Sequence, residues 1–210
     1  MLVGGQALAY WMNRYGVEMT MDLPAVTRDV DFLVADAGDH GPVLRMARVL
    51  RGTATFPPEH ALTAIVGQAI RQVSESEYLN VDLLSKVYGL DEDAVRNAAM
   101  EALSGAFAFR VMHPIDVLAS RLHNLYGLDN KQNELGALQL KSAISVVRAA
   151  HREVAASDTD TSGRPKLLGW AKSLEKMAKN DAGRKVANRY GIHVADAIEA
   201  GVCRASAAGE

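Results

Sequence analysis

The chain has 210 residues, of which 49% are hydrophobic and 23% are charged, a balance typical of a globular protein that buries a core. This length is enough for one large domain or two small ones. The single cysteine, Cys203, excludes an internal disulfide bond. The first residues lack a basic leader and no apolar run approaches the length of a membrane helix, so we expect a cytoplasmic protein.

The net charge of −2 conceals an asymmetry between the two halves of the chain. Residues 1–110 contain 9 basic and 14 acidic side chains, whereas residues 111–210 contain 14 and 11. Residues 164–189 alone contain eight basic and two acidic side chains. This stretch is either a surface for a polyanion such as RNA or a solvated, lysine-rich helix.

Leu2 and Val3 predict the end of a buried strand. Gly4 and Gly5 then predict a tight turn into a helix over residues 6–15. Such a turn lets backbone N–H groups at a helix N-terminus approach an anion closely. A flexible turn without a ligand is the alternative interpretation of two adjacent glycines.

Residues 27–34 predict a β-strand that carries two acids among apolar residues. Because side chains alternate along a strand, Asp29 and Asp31 point to the same face, with Cα atoms roughly 6.5–7 Å apart. Both carboxylates can therefore hold one metal ion.

A third acid, Asp82, interrupts the apolar run of another predicted strand, residues 77–84. A carboxylate in such a run must be paired, hydrogen-bonded or bound to a metal, because burying it without a partner is unfavourable. If the two strands are neighbours, Asp82 joins Asp29 and Asp31, and a divalent cation is the simplest compensation for three acids. The alternative is an unrelated α/β domain in which these acids are scattered over turns and edges.

The remaining pattern predicts an α/β half, residues 1–112, followed by a helical half, residues 113–210. We expect the following additional elements: a helix from Pro42 through Leu50, a loop at residues 52–58, two short strands at residues 62–66 and 69–73, a helix at residues 90–104 capped by Asp91, and a strand at residues 107–112. Pro114 then begins a helix whose buried stripe is Ile115, Leu118, Leu122 and Leu125, and a second long helix follows at residues 134–151.

Gly4-Gly5 opening a helix, Thr27-Arg28-Asp29-Val30-Asp31-Phe32 on a strand and Asp82 on a later strand resemble the nucleotidyltransferase superfamily related to DNA polymerase β. The sequence around Asp29 resembles that of the branch containing the abortive-infection type IV toxins and related bacterial nucleotidyltransferase toxins. The resemblance in sequence covers residues 1–112. Over the helical half, only the arrangement of elements is similar. It implies a minimal nucleotidyltransferase fold, in which a mixed sheet with flanking helices precedes a C-terminal helical domain.

By this resemblance, the protein transfers a nucleoside monophosphate from a nucleoside triphosphate (NTP) to an acceptor hydroxyl with two Mg²⁺ ions. Asp29 and Asp31 would bind both ions, and Asp82 would complete one of the two metal sites and could take the proton of the hydroxyl. The backbone of Gly4 and Gly5 would hold the β- and γ-phosphates.

The resemblance also implies a basic group on the triphosphate, for which Arg121 and Lys131 are the candidates. RNA or tRNA, a protein or a small molecule is the expected acceptor, and an antitoxin is a candidate partner. The toxin branch usually carries acids on the helices after the third carboxylate, where this chain has Asn124 and Gln139. A nucleotidyltransferase-like binding or regulatory module without turnover is therefore the alternative function.

Overall fold

The computed structural model describes residues 1–18, 29–105, 107–157 and 163–198. Within these ranges the chain forms an α/β fold that contains a seven-stranded mixed sheet and seven α-helices. The strands are β1 (Leu2–Val3), β2 (Asp29–Leu33), β3 (Thr53–Thr55), β4 (Ile65–Gln72), β5 (Tyr78–Leu84), β6 (Met100–Ser104) and β7 (Phe107–Val111). The helices are α1 (Gly4–Tyr15), α2 (Gly41–Leu50), α3 (Glu92–Ala98), α4 (Pro114–Gly127), α5 (Glu134–Ser157), α6 (Gly163–Lys179) and α7 (Asp181–Tyr190).

The chain divides into two compact units. The first combines Met1–Ala9 with Val26–His113, and the second combines Tyr10–Ala25 with Pro114–Glu210. The first unit contains the whole sheet together with α2 and α3, and the second contains α4 to α7. The division passes through α1, which contributes its first turns to one unit and its last turns to the other. No helix in the described ranges combines the length and the apolar composition that crossing a membrane requires.

The sheet has the strand order β3-β4-β5-β2-β1-β7-β6. β2 runs parallel to β5, and β1 runs parallel to β7, whereas the other neighbouring strands are antiparallel. The D-x-D strand β2 is therefore internal, with β5 on one side and β1 on the other.

Helix α2 covers one face of the sheet and buries the core of the first unit. The buried residues of this core are Val34, Val43, Ala47, Val66, Ala69, Val81 and Leu83. Val30 and Phe32 of β2 pack against them. Because side chains alternate along a strand, burying these residues against α2 turns the intervening residues of β2 and β5 to the opposite face.

Two predictions for the segment between α2 and β5 were wrong. Residues 52–58 were expected to form a loop, but β3 lies there and pairs with β4. The two short strands expected around Gly67 are one strand, β4, with an irregularity between Ile65 and Gly67. A Cβ atom on Gly67 would lie 2.9 Å from side-chain atoms of Val43 and Phe56, so this glycine gives room for packing and does not make a turn.

The helix predicted over residues 90–104 ends at Ala98, and the rest of that segment is strand β6. The predicted cap is confirmed, because Asp91 Oδ1 accepts a hydrogen bond of 2.8 Å from the Ala94 N–H. Ala102 is 3% exposed and its neighbour Leu103 is 73% exposed, which is the alternation of a strand. The antiparallel pairing of β6 with β7 therefore prevails over the helical propensity of these residues.

The second unit is helical, as predicted. The apolar stripe expected on α4 is confirmed, because Ile115, Leu118, Leu122 and Leu125 are all buried. Near the end of α1, the Tyr15 hydroxyl and the Arg14 guanidinium each donate a hydrogen bond of 2.8 Å to the Glu153 carboxylate. Burial, together with this bond, raises the pKa of Tyr15 to about 12.

Candidate carboxylate site

The parallel pairing of β2 with β5 brings the three predicted aspartates together. Asp31 lies directly opposite Asp82, and Asp29 lies opposite Asn80. Residues paired in this way on adjacent strands project from the same face of the sheet. We call this set of four side chains, Asp29, Asp31, Asn80 and Asp82, the carboxylate face.

Amide donors connect the acids of the carboxylate face. Asn80 Nδ2 donates to Asp82 Oδ1 at 2.7 Å and lies 3.3 Å from Asp29 Oδ1. From β4, Gln68 Nε2 donates to the same Asp82 oxygen at 2.8 Å, because Gln68 pairs with Asp82 in the antiparallel register. These hydrogen bonds compensate the partial burial of the Asp82 carboxylate.

The amide nitrogen of Asn80 is hydrogen-bonded, but its amide oxygen is not paired within the described residues. Asn80 is 7% exposed, and its Oδ1 atom is buried without a hydrogen-bond partner among the described residues. An unsatisfied buried acceptor costs about 1–3 kcal/mol, so it marks a position where a bound water or cation would be stabilised.

The glycine turn lies directly against the carboxylate face. Gly4 begins α1 with φ +66°, a conformation that glycine adopts without steric strain. A Cβ atom on Gly4 would come within 1.9 Å of Asp31 Oδ2. Gly4 is therefore required twice, for its backbone angle and for the close approach of the Asp31 carboxylate. Gly5 follows it in the buried first turn of α1.

The residue types fit Mg²⁺, which binds carboxylate and amide oxygens. In the described ranges, however, no group of three or more His, Cys, Asp or Glu side chains has its atoms gathered around one point as a metal site. Asp29 and Asp82 both face the Asn80 nitrogen.

The two predicted phosphate-binding cations lie in the second unit. Arg121 is 6% exposed on α4, and its Nη1 donates to Gln139 Oε1 at 3.2 Å. Lys131 is exposed at the end of a single 3₁₀ turn, Asp129–Lys131. The Arg121 guanidinium is therefore buried and hydrogen-bonded to a neutral amide, whereas the Lys131 ammonium is exposed.

Sequence reasoning missed Asn80 and Gln68. Asn80 could have been found, because it precedes Asp82 by two residues and therefore shares its face of the strand. Gln68 had no such signal, since its place depends on the register between β4 and β5. As an arrangement, three acids, two amides and a glycine turn can bind a cation together with a phosphorylated ligand.

No model of a known protein family matches this chain, and a search of curated proteins finds no similar sequence.

Proposed function

We propose that the protein is a metal-dependent nucleotidyltransferase, which moves a nucleoside monophosphate from an NTP to an acceptor hydroxyl. The observation that carries this proposal is the β2–β5 pairing, which sets Asp31 opposite Asp82 while Gly4 approaches Asp31. Acids on adjacent strands beside a glycine turn meet the requirements of phosphoryl transfer, which are metal ligands and a backbone that admits phosphate oxygens.

Each aspartate has a role in the proposed reaction. Asp29 and Asp31 would hold both Mg²⁺ ions, and Asp82 would complete one of the two metal sites. When bound, the ions stabilise negative charge on the attacking and leaving oxygens. The acceptor oxygen forms a bond to the α-phosphorus, the bond to the bridging oxygen of the β-phosphate breaks, and pyrophosphate leaves. Asp82 takes the proton of the acceptor hydroxyl.

The triphosphate is bound by backbone and by cations. The N–H groups of Gly4 and Gly5 at the start of α1 hold the β- and γ-phosphates, because a helix N-terminus favours negative charge. Arg121 and Lys131 are the proposed cations for the triphosphate, and Lys131 has the exposure that contact with a ligand requires.

The proposed acceptor is RNA or tRNA, with a protein or small-molecule hydroxyl as the other acceptor classes. The basic stretch 164–189 supports a polyanion, because Lys172, Lys176 and Lys179 are exposed on α6. Of these lysines, Lys179 has an acidic neighbour within salt-bridge distance, Glu175 at 3.4 Å, in the described part of the chain. An antitoxin partner and a cytoplasmic location complete the proposal.

Incubation of the protein with each labelled NTP, Mg²⁺ and total RNA tests this function. We expect transfer of label, or release of pyrophosphate, from the wild-type protein. Asp29→Ala should reduce the rate to background, because it removes a ligand of both metal ions. Asp93→Ala is the matched control, since Asp93 is an exposed acid in the first turn of α3.

Equal transfer by wild type and Asp29→Ala would contradict the proposed reaction. So would equal losses in Asp29→Ala and Asp93→Ala, because a loss shared by a remote acid would come from net charge and not from the carboxylate face.

A non-catalytic nucleotidyltransferase-like binding or regulatory module is the second candidate. One observation favours it: Arg121 Nη1 donates a hydrogen bond to Gln139, where the toxin branch usually has an acid. This function predicts saturable binding of an NTP with no label transfer under any metal. Turnover that Asp29→Ala abolishes would exclude it.

A further inference from the structure

A cleft of about 690 Å³ opens within the second unit, between the ends of α4 and α7. Its volume lies in the range of small-molecule sites, roughly 300–1,000 Å³. We call it the α4–α7 cleft. Its chemically distinctive lining residues are Tyr126, Asp129, Gln132, Lys185, Arg189 and Tyr190.

Two cations of the cleft, Lys185 and Arg189, lie one turn apart on α7. Arg189 Nη1 donates to the neutral Gln132 Oε1 at 2.6 Å, and none of the ion pairs among the described residues includes Arg189. Lys185 Nζ lies 3.0 Å from Asp181 Oδ2, which belongs to the same helix and does not line the cleft. Among the described residues the Arg189 guanidinium therefore presents a positive charge outside any ion pair, in a lining that also contains the partly neutralised Lys185 ammonium and the acid Asp129.

Two tyrosine rings accompany these cations. Lys185 Nζ lies 5.3 Å from the Tyr126 ring centroid, and Arg189 Cζ lies 5.2 Å from the Tyr190 ring centroid. The Tyr126 hydroxyl donates to Asp181 Oδ2 at 2.7 Å, which orients its ring. The Tyr190 hydroxyl is buried without a hydrogen-bond partner among the described residues. The cleft thus offers the surface of two aromatic residues beside its cations.

These groups select a ligand of defined chemistry. A guanidinium and an ammonium bind phosphate oxygens, tyrosine rings stack on a planar base, and an amide such as Gln132 hydrogen-bonds to a base edge or a sugar. We propose that the α4–α7 cleft binds a nucleotide unit, with its phosphate on Arg189 and Lys185 and its base against the tyrosine rings.

This binding goes beyond the proposed transfer reaction, because every lining residue of the cleft belongs to the second unit and none belongs to the carboxylate face. The nucleotide unit has two possible sources with the same chemistry: a free nucleotide, or one residue of a single-stranded RNA. A free nucleotide presents a phosphate monoester to Arg189, whereas an RNA residue presents a diester.

The test is calorimetric titration of the full chain carrying Asp29→Ala, in EDTA, so that binding at the carboxylate face and metal effects are suppressed. The probes are the four ribonucleoside monophosphates, adenosine, inorganic phosphate and short single-stranded homo-oligoribonucleotides. We expect at least one monophosphate or oligonucleotide to bind about tenfold or more tightly than adenosine and inorganic phosphate. A monophosphate that binds more tightly than the oligonucleotides identifies a free nucleotide, and the reverse order identifies RNA.

Arg189→Gln should weaken this binding about tenfold or more, because it removes a charged hydrogen-bond donor. Arg184→Gln is the matched control, since Arg184 is exposed on the same helix and does not line the cleft. Tyr126→Leu should weaken binding, whereas Tyr126→Phe retains the ring and should preserve most of it. Circular dichroism and thermal unfolding check that each variant is folded.

Three outcomes would overturn the proposal: no saturable binding of any nucleotide probe, equal affinity for inorganic phosphate, or equal losses in Arg184→Gln and Arg189→Gln. Because Asp29→Ala is present throughout, failure of transfer in the intact protein and failure of binding at this cleft are separate results.

Discussion

The two faces of the sheet around β2 and β5 differ although the same strands build both. On one face, Val30, Val81 and Leu83 pack into the core beneath α2. On the other, Asp29, Asp31 and Asp82 lie beside Asn80, and the acids facing Asn80 accept its hydrogen bonds. Neighbouring residues of one strand thus belong either to the core or to the proposed site. Substitution of adjacent residues should therefore separate effects on stability from effects on the proposed reaction.

The largest effect is expected for Asp82→Asn. Its amide oxygen can still accept the hydrogen bonds from Gln68 and Asn80, while the negative charge is lost. We expect the rate of nucleotidyl transfer to fall about 100-fold or more, because metal coordination supplies several kcal/mol to phosphoryl transfer. The free energy of unfolding should change little, and urea denaturation measures it. A large loss of stability with normal transfer would contradict the proposed role.

The adjacent substitution Leu83→Ala should have the reverse effect. Leu83 is 2% exposed in the core under α2, so its truncation should lower the free energy of unfolding by about 2–5 kcal/mol. Transfer per folded molecule, measured at low temperature, should stay close to wild type. If Leu83→Ala abolished transfer in fully folded protein, the separation between the two faces would be wrong.

Gly4→Ala tests the contact between the glycine turn and Asp31. Alanine at φ +66° is strained by about 1–2 kcal/mol, and its Cβ would displace the Asp31 carboxylate. We expect lower stability and a loss of transfer. Gly16→Ala is the control, because Gly16 has φ +61° but nothing within 4 Å of its would-be Cβ. If both variants lose similar stability but only Gly4→Ala loses transfer, the loss of transfer comes from displacement of the Asp31 carboxylate.

Asp116, on α4, contrasts with Asp82 because it is largely buried and its Oδ2 has no hydrogen-bond partner among the described residues. Burial raises its pKa from 3.8 to about 6. Between these values the folded protein retains a proton that the unfolded chain releases, so stability falls as pH rises through this window and is constant above it.

Asp116→Asn removes this dependence. Its free energy of unfolding should exceed that of the wild type by on the order of 2–3 kcal/mol at pH 8, and the two should converge near pH 4. Urea denaturation of both proteins between pH 4 and pH 8 measures the difference. A constant difference across this range would contradict the raised pKa.

The smallest effect is expected at the exposed lysines of α6. Replacing Lys172, Lys176 and Lys179 by glutamine should weaken RNA binding and flatten its dependence on salt by about one unit of slope per lost phosphate contact. Filter binding at several salt concentrations measures both. Arg45, Arg48 and Arg71 are exposed cations of the first unit and provide a triple-glutamine control of equal charge. Unchanged binding would identify the α6 lysines as a solvated helix face.

The sequence was sufficient for elements whose local pattern agrees with their environment. Alternation of apolar and polar residues predicted the D-x-D strand and the strand of Asp82, and a helical stripe predicted α4. It failed at β6, where Ala102 and its neighbours have high helical propensity but pair with β7. Such pairing is not encoded locally, because a strand acquires its hydrogen bonds from a distant segment.

By itself, the sequence determined which side chains share a face of each strand, because alternation is a local property of extended backbone. Tertiary structure alone decided that Asp31 lies opposite Asp82, since a shift of one residue between β2 and β5 would turn the acids of one strand toward the core. It likewise decided that Asn80 bridges two acids and that Gln68 reaches Asp82. Segments about 50 residues apart cannot shift by one residue, because that shift would take either Val30 or the pair Val81 and Leu83 out of the core under α2.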